Sequence, residues 1–217
     1  MTDRLLFLVR HGATDHSGRR RYLGQTDIPL NDRGYEQAQI LRDWFLPHAI
    51  DAAFCSDLSR SRRTAEIIVT GRGPAVVARR DLREIAMGVW DDRSFAEIAA
   101  QFPDDVRARG QDIAHFRVAG GESFADCHDR ARSALADILR AVPGNVLVVG
   151  HAGLNRALLC GLLGMPLANL FRLGQDPGCI NVVRPAGGNG EPGIRVDLLN
   201  FTPWSQDTPR DRERRAS

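Results

Sequence analysis

The sequence predicts an α/β fold: a three-layer sandwich whose mainly parallel central sheet carries helices on both faces and an antiparallel edge element. Three observations predict it. Strand and helix patterns alternate along most of the 217 residues, as expected when crossover helices join parallel strands. The runs Leu5 to Val9 and Val146 to Val149 are apolar without interruption, as strands covered on both faces are. The last two apolar runs, Ile180 to Val183 and Ile194 to Leu198, flank Gly187-Gly188-Asn189-Gly190, a turn signal for a hairpin.

Each element has its own justification. Leu5 to Val9 is the first strand. Asn31 is placed to cap a helix whose inner face carries Ala38, Leu41 and Phe45 and which Pro47 ends. Ala52 to Cys55 reads as the second strand. Ser56 or Asp57 then caps a helix through Thr70, with Leu58, Ala65 and Ile68 or Val69 inward. Ala75 to Ala78 is a short third strand. Ser94 and Glu97 form a capping box for a helix through Phe102. Ser123 starts the clearest helix, because Phe124, Cys127, Ala131, Leu135 and Ile138 fall on one stripe. The strand Val146 to Val149 is followed by a helix carrying Leu154, Leu158 and Leu162. No repeat and no linker interrupts residues 1–204, which read as a single domain. Ser205 to Ser217 holds no apolar residue except Pro209 and Ala216 and is expected to be a disordered tail.

Composition excludes several function classes. The apolar share of 43% and charged share of 26% are those of a soluble globular protein. No apolar run approaches the ~20 residues of a membrane span. The chain enters a strand without a basic segment and a long apolar stretch, so no secretory signal is expected and the expected location is cytoplasmic. A net charge of +2 argues against a large nucleic-acid footprint. All 29 cationic side chains are arginine; without lysine, Schiff-base chemistry and a lysine P-loop are excluded. Cys55, Cys127, Cys160 and Cys179 form no C-x-x-C pair and have mostly apolar or small neighbours, so they read as buried thiols in a reducing compartment. A cysteine phosphatase needs arginine six residues after its nucleophile; here those positions hold Ser61, Ser133, Pro166 and Pro185.

The candidate chemistry lies where the buried strands stop. Arg10-His11-Gly12 follows the first strand, and open α/β sheets bind ligands beyond the carboxyl ends of their strands. Arg10 can grip a phosphate with two N–H groups, and a neutral His11 can attack phosphorus. Gly12 lets the backbone turn sharply and come close to a ligand. Gly150-His151-Ala152-Gly153 repeats the arrangement after Val146 to Val149, and the helix beyond it offers free N–H groups to an anion. Parallel strands put both histidines on one edge. Arg60 falls in the first turn of the helix after the second strand, on the same side. Arg62 and Arg63 read as solvated neighbours. Glu84, in Leu82-Arg83-Glu84-Ile85, follows the third strand and supplies the acid that a leaving group needs.

With these elements in place, the chain resembles the histidine phosphatase superfamily, in its phosphoglycerate mutase-like branch. The resemblance rests on Arg10-His11-Gly12 with Thr14, the run Gly24 to Asn31, Ser56-x-Leu58-x-Arg60-x-x-x-Thr64-Ala65, Leu82 to Ile85, Gly120-Gly121-Glu122-Ser123 and Gly150 to Gly153. It covers residues 4–184. It implies that His11 becomes phosphohistidine, that Arg10, Arg60 and His151 hold the phosphoryl oxygens, and that Glu84 protonates the leaving alcohol. It also implies that Thr14, Ser17, Gly24, Gln25 and Ala152 line the phosphate and substrate site. Ser17 departs from the asparagine that many members carry. The segment between the acid and the second histidine is shorter than in the mutases. Residues Gly88 to Gly120 of it form the expected lid, with His115 and Arg117 either as substrate contacts or as ordinary surface residues.

These readings predict a metal-independent phosphomonoesterase acting on a small phosphorylated metabolite through a phosphohistidine. No cofactor, no metal and no nucleic-acid or membrane partner is expected, and the state is a monomer or homodimer. A 2,3-bisphosphoglycerate-dependent phosphoglycerate mutase is the alternative, and a non-catalytic phosphate-binding module is the third reading.

Overall fold

The computed structural model describes residues 4–17, 20–71, 73–184 and 194–204. Strand β1 (Leu6–Arg10) lies inside a six-stranded sheet. Its side chains alternate: Leu6 and Leu8 join one apolar cluster, Phe7 and Val9 another. An uninterrupted apolar run thus serves a strand with two covered faces. β3 (Ala52–Ser56), β4 (Val76–Arg79) and β6 (Val146–Gly150) run parallel to β1. β7 (Ile180–Arg184) pairs antiparallel with β1, and β8 (Arg195–Phe201) antiparallel with β7, giving the order β4-β3-β6-β1-β7-β8. The predicted turn at Gly187-Gly188-Asn189-Gly190 and the tail Ser205 to Ser217 lie outside the described residues.

The side to which each strand exit turns decides where a ligand can bind. α1 (Asp32–Phe45) and α2 (Ser59–Val69) pack on the face of Phe7 and Val9, through Leu41, Phe45, Ala65 and Ile68. α5 (Phe124–Ala141) and α6 (Ala152–Leu163) cover the other face, through Cys127, Ala131, Leu135, Leu154 and Leu158. The chain leaving β1 therefore turns to one face and the chain leaving β6 to the other. The crevice between their carboxyl ends is a topological switch point, the ligand position of open α/β sheets.

Most caps form where the pattern puts them. Asn31 accepts the Gly34 N–H at 3.0 Å. The Ser94–Glu97 box closes in both directions, at 3.1 and 2.7 Å, on α3 (Phe95–Gln101). The expected cap of α2 is corrected: neither Ser56 nor Asp57 fills it. Leu58 occupies that position without a side-chain bond. Ser56 accepts the Leu58 N–H at 3.2 Å, and Asp57 pairs with Arg83 at 2.7 Å. The Ser59 N–H goes instead to Asp27, at 2.8 Å, a distant carboxylate that no local pattern reports.

The lid region holds elements absent from the sequence reading. α4 (Pro103–Gln111) has no buried residue and hence no apolar stripe to reveal it. β2 (Arg21–Tyr22) and β5 (Arg93–Ser94) pair antiparallel over two residues each, too short for any alternation to register. Gly12 has a further role beside the expected turn. Its role is a close approach to protein, since a Cβ there would stand 2.6 Å from the Gly34 carbonyl oxygen. Its missing side chain lets α1 dock against the loop that follows β1.

Candidate active site

The register of two strands sets the centre of the site. β1 and β6 pair with Arg10 opposite Gly150, so the next residue on each strand is a histidine. The His11 N–H donates to the Gly150 carbonyl at 3.1 Å, and the two ring centroids stand 5.1 Å apart at an interplanar angle of 62°. His11 is 4% exposed and His151 is fully buried. The Nδ1 atom of His11 lies 2.7 Å from the Gly12 carbonyl. A carbonyl only accepts, so this contact puts the proton on Nδ1 and leaves Nε2 with its lone pair.

Two guanidinium groups flank the rings. Arg60, in the first turn of α2, is fully buried. It donates to the carbonyls of Thr26 at 2.7 Å and Gly24 at 3.1 Å. Arg10 donates to the Gln175 carbonyl at 2.5 Å. Within this site four buried nitrogens have no hydrogen-bond partner among the described residues: Nε of Arg10, Nε of Arg60 and both ring nitrogens of His151. Each such group costs about 1–3 kcal/mol. The N–H donors among them suit a ligand that brings its own acceptors.

Burial and mutual charge set the protonation states. His11 is held well below its ordinary pKa by burial first, then by Arg60 and Arg10. His151 is held down by burial, then by Arg60, His11 and Arg10. Burial pushes Arg60 down to about 10, so it stays charged at neutral pH. Both imidazoles are therefore neutral before an anion arrives. The unfolded chain titrates its histidines near ~6.5. Below that pH it binds more protons than the folded chain, so these two residues withdraw stability as the pH falls. The predicted loss begins near pH ~6.5 and steepens toward ~1.4 kcal/mol per pH unit for each of the two histidines that stays neutral, and it vanishes above about pH 7.5. Urea midpoints across pH 5–8 read this slope directly, and His151→Ala is expected to halve it.

Glu84 departs from the sequence expectation in its contacts. It sits at the N-terminus of α6, where its carboxylate accepts the N–H groups of Gly153 at 3.0 Å, Leu154 at 2.9 Å and Ile85 at 3.0 Å. Two of the N–H groups expected to meet an anion are thus taken by the acid itself. Among the described residues the Ala152 N–H remains the helix-end donor without a partner. Gln25 donates to the Glu84 carbonyl at 2.9 Å and fixes its backbone. Thr14 and Ser17 hold their own loop together, with the Thr14 N–H on Ser17 Oγ at 2.9 Å.

Gly24 acts through its carbonyl on Arg60, and it has a positive φ of 51°. Any Cβ there would stand 1.6 Å from Asp91 Oδ1. Gly24→Ala is expected to cost about 1–2 kcal/mol from the left-handed backbone alone. It should also lower turnover by displacing the Arg60 anchor, as urea unfolding and steady-state kinetics would report.

Other candidates are placed away from the rings. His115 is exposed and held by Asp112 at 3.1 Å, and Arg117 is exposed and paired with Asp126 at 2.6 Å. Both read as surface pairs instead of substrate contacts. Arg62 and Arg63 pair with Glu66 on the surface. All four cysteines are buried free thiols, and burial pushes Cys55 and Cys179 up to about 12. Among the described residues no group of three or more His, Cys, Asp or Glu could hold a metal ion, and no helix is long and apolar enough to cross a membrane. Sequence reasoning missed Gln175, which no local signal marks. It also missed Arg156, whose signal was a charge on an otherwise apolar helix.

The fold is α/β, and its crevice gathers two histidines and two arginines into one candidate anion site. Comparison with known proteins makes this specific. The chain belongs to the histidine phosphatase superfamily, branch 1, whose family model matches residues 6–195. It is 35% identical over 162 residues to the probable phosphoglycerate mutase GpmB of Serratia proteamaculans, covering 74% of this chain and 75% of that one. It is 30% identical over 179 residues to the adenosylcobalamin/alpha-ribazole phosphatase of Escherichia coli, covering 82% and 88%. The structure of a mycobacterial glucosyl-3-phosphoglycerate phosphatase superposes with a TM-score of 0.79 at 30% identity, covering 91% and 98%.

Proposed function

We propose that the protein is a metal-independent phosphomonoesterase that hydrolyses a small phosphorylated metabolite through a phosphohistidine on His11. The observation that carries this reading is the pair of facing imidazoles, one with a free Nε2 lone pair, among unpartnered arginine and histidine nitrogens. The named phosphatases among the relatives support it.

In the first step His11 Nε2 forms a bond to phosphorus as the ester P–O bond breaks, and Glu84, which enters this step as the neutral acid, gives the leaving alcohol its proton. Arg10, Arg60 and His151 meet the equatorial oxygens, where charge spreads in a loose transition state. The dianion favours a proton on His151, whose pKa its neighbours otherwise depress. In the second step water attacks the phosphorus, its proton passes to Glu84, the N–P bond breaks, and inorganic phosphate leaves.

An aryl phosphate assay with EDTA tests the proposal. Chelator-resistant phosphate release is expected, with an acid-labile, alkali-stable label trapped on the protein. Release that EDTA abolishes would overturn it. The mutase reading, which the GpmB relative favours, predicts phosphate moving within phosphoglycerate with little free phosphate released.

A further inference from the structure

The β7 run Ile180-Asn181-Val182-Val183 places an amide inside an otherwise apolar strand. Asn181 is fully buried there, and burying an amide is costly unless it is hydrogen-bonded. Its partner is Gln175, also buried, on the loop before β7. The two side chains pair head to tail. Gln175 Nε2 donates to Asn181 Oδ1 at 2.8 Å, and Asn181 Nδ2 donates to Gln175 Oε1 at 3.1 Å. Their remaining capacity is also used. Gln175 Nε2 donates to the Gly174 carbonyl at 2.7 Å, and Gln175 Oε1 accepts from Asn155 Nδ2 on α6 at 3.3 Å. Asn181 Nδ2 donates to the Leu8 carbonyl on β1 at 3.0 Å, and Asn181 Oδ1 accepts the Asn200 N–H on β8 at 2.9 Å. Turning either amide over would break several of these bonds at once, so the network has one low-energy arrangement.

The network fixes the loop 174–178 from several sides. Asn200, at a positive φ of 52° beside a register shift between β7 and β8, accepts the Asp176 N–H at 2.6 Å. Arg156 Nε, on α6, donates to the Leu173 carbonyl at 2.8 Å. At its far end the loop joins β1 twice, the Arg10 N–H donating to the Cys179 carbonyl and the Gly178 N–H to the His11 carbonyl, both at 3.0 Å. Its remaining contact with β1 reaches the charged group itself: the Gln175 carbonyl accepts Arg10 Nη1 at 2.5 Å. Nη1 lies on the Cδ side of a guanidinium. Holding it there leaves the opposite edge, Nε with Nη2, which can give a phosphate two parallel N–H bonds. Arg10 Nε is buried and has no partner among the described residues.

We propose that Gln175, locked by Asn181, is a positioning residue for phosphoryl transfer: its carbonyl turns the Arg10 guanidinium so that the Nε–Nη2 edge meets the phosphoryl oxygens. This rests on the phosphomonoesterase reading and deepens it. Asn181 then acts on the reaction only through Gln175 and Arg10. Misplacing such a group by about 1 Å can cost on the order of 10²-fold in rate.

A double-mutant cycle on aryl phosphate hydrolysis tests the link. Asn181→Leu is similar in volume and makes no hydrogen bond. It is expected to lower kcat/KM at least fivefold when Arg10 is present. In the Arg10→Met background, with no guanidinium to aim, the further loss is expected to stay under twofold. Gln175→Met, which keeps the carbonyl and removes its lock, is expected to give the same pattern and serves if Asn181→Leu does not fold. An equal loss in both backgrounds, as a general weakening of the fold would give, overturns the proposal. So does no loss with Arg10 present. A measurement on the wild type needs no folded variant of the network. The ¹⁵N signal of Arg10 Nε–H, identified by its absence in Arg10→Met, is expected to shift when inorganic phosphate or vanadate binds. Binding that leaves this signal in place assigns the anion to other nitrogens and overturns the proposal. A wild type that shifts the signal but hydrolyses no aryl phosphate sinks the phosphatase reading, whereas hydrolysis without coupling in the cycle sinks only the positioning role.

Discussion

His11→Ala is expected to lower kcat/KM for an aryl phosphate by at least about 10⁴, because it removes the atom that bonds to phosphorus in the proposed mechanism. The loss should fall on kcat, with trapped phosphoryl label disappearing in parallel. His151 cannot take over cheaply. Its ring lies 5.1 Å away, and the contact that fixes the tautomer of His11 has no counterpart on it. Folding should survive, since the change removes a buried ring that is already neutral. The urea midpoint at pH 7.5 checks that point. A loss of less than tenfold, with the label retained, would assign the nucleophile elsewhere.

Arg60→Met should cost about 10²–10³ in kcat/KM, the range seen when one preorganised donor to developing charge is deleted. The same change tests the electrostatics. Arg60 is the first charge acting on His11 and on His151, after burial. Without it both pKa values move back toward the ordinary histidine value, although burial still holds them below it. The loss of stability as the pH falls below about 6.5 should therefore start at the same pH and end at a higher pH than in the wild type. Arg60→Lys is not expected to restore activity. A single ammonium cannot reach the Thr26 and Gly24 carbonyls and still present a fixed N–H edge to phosphate. Parallel kinetics and pH-dependent unfolding on the two variants separate the charge from the geometry.

Much of the scaffold was legible because its signals are local. Leu6 to Val9 and Val146 to Val149 are apolar at every position, and each strand proved to have two covered faces. The stripe from Phe124 to Ile138 is buried as its spacing requires. The cap of α2 was not legible, since its partner Asp27 is brought in by tertiary folding. α4 was missed because a helix that buries nothing carries no apolar period. His115 and Arg117 looked like lid contacts by composition, yet each found an acid nearby on its own surface.

By itself the sequence determined which residues stand at the ends of buried strands, because strand burial follows from side-chain period alone. That put Arg10, His11 and His151 on one edge before any coordinates. Only the tertiary structure decided that Arg10 lies opposite Gly150, and with it the 5.1 Å between the imidazoles. It also decided that Glu84 docks on α6 and that Arg109 reaches a cage drawn from three separate segments. The physical reason is common to all three. Register and long-range docking follow from the packing of whole elements against one another, and residues far apart in the chain bear no local mark of the partner they will meet.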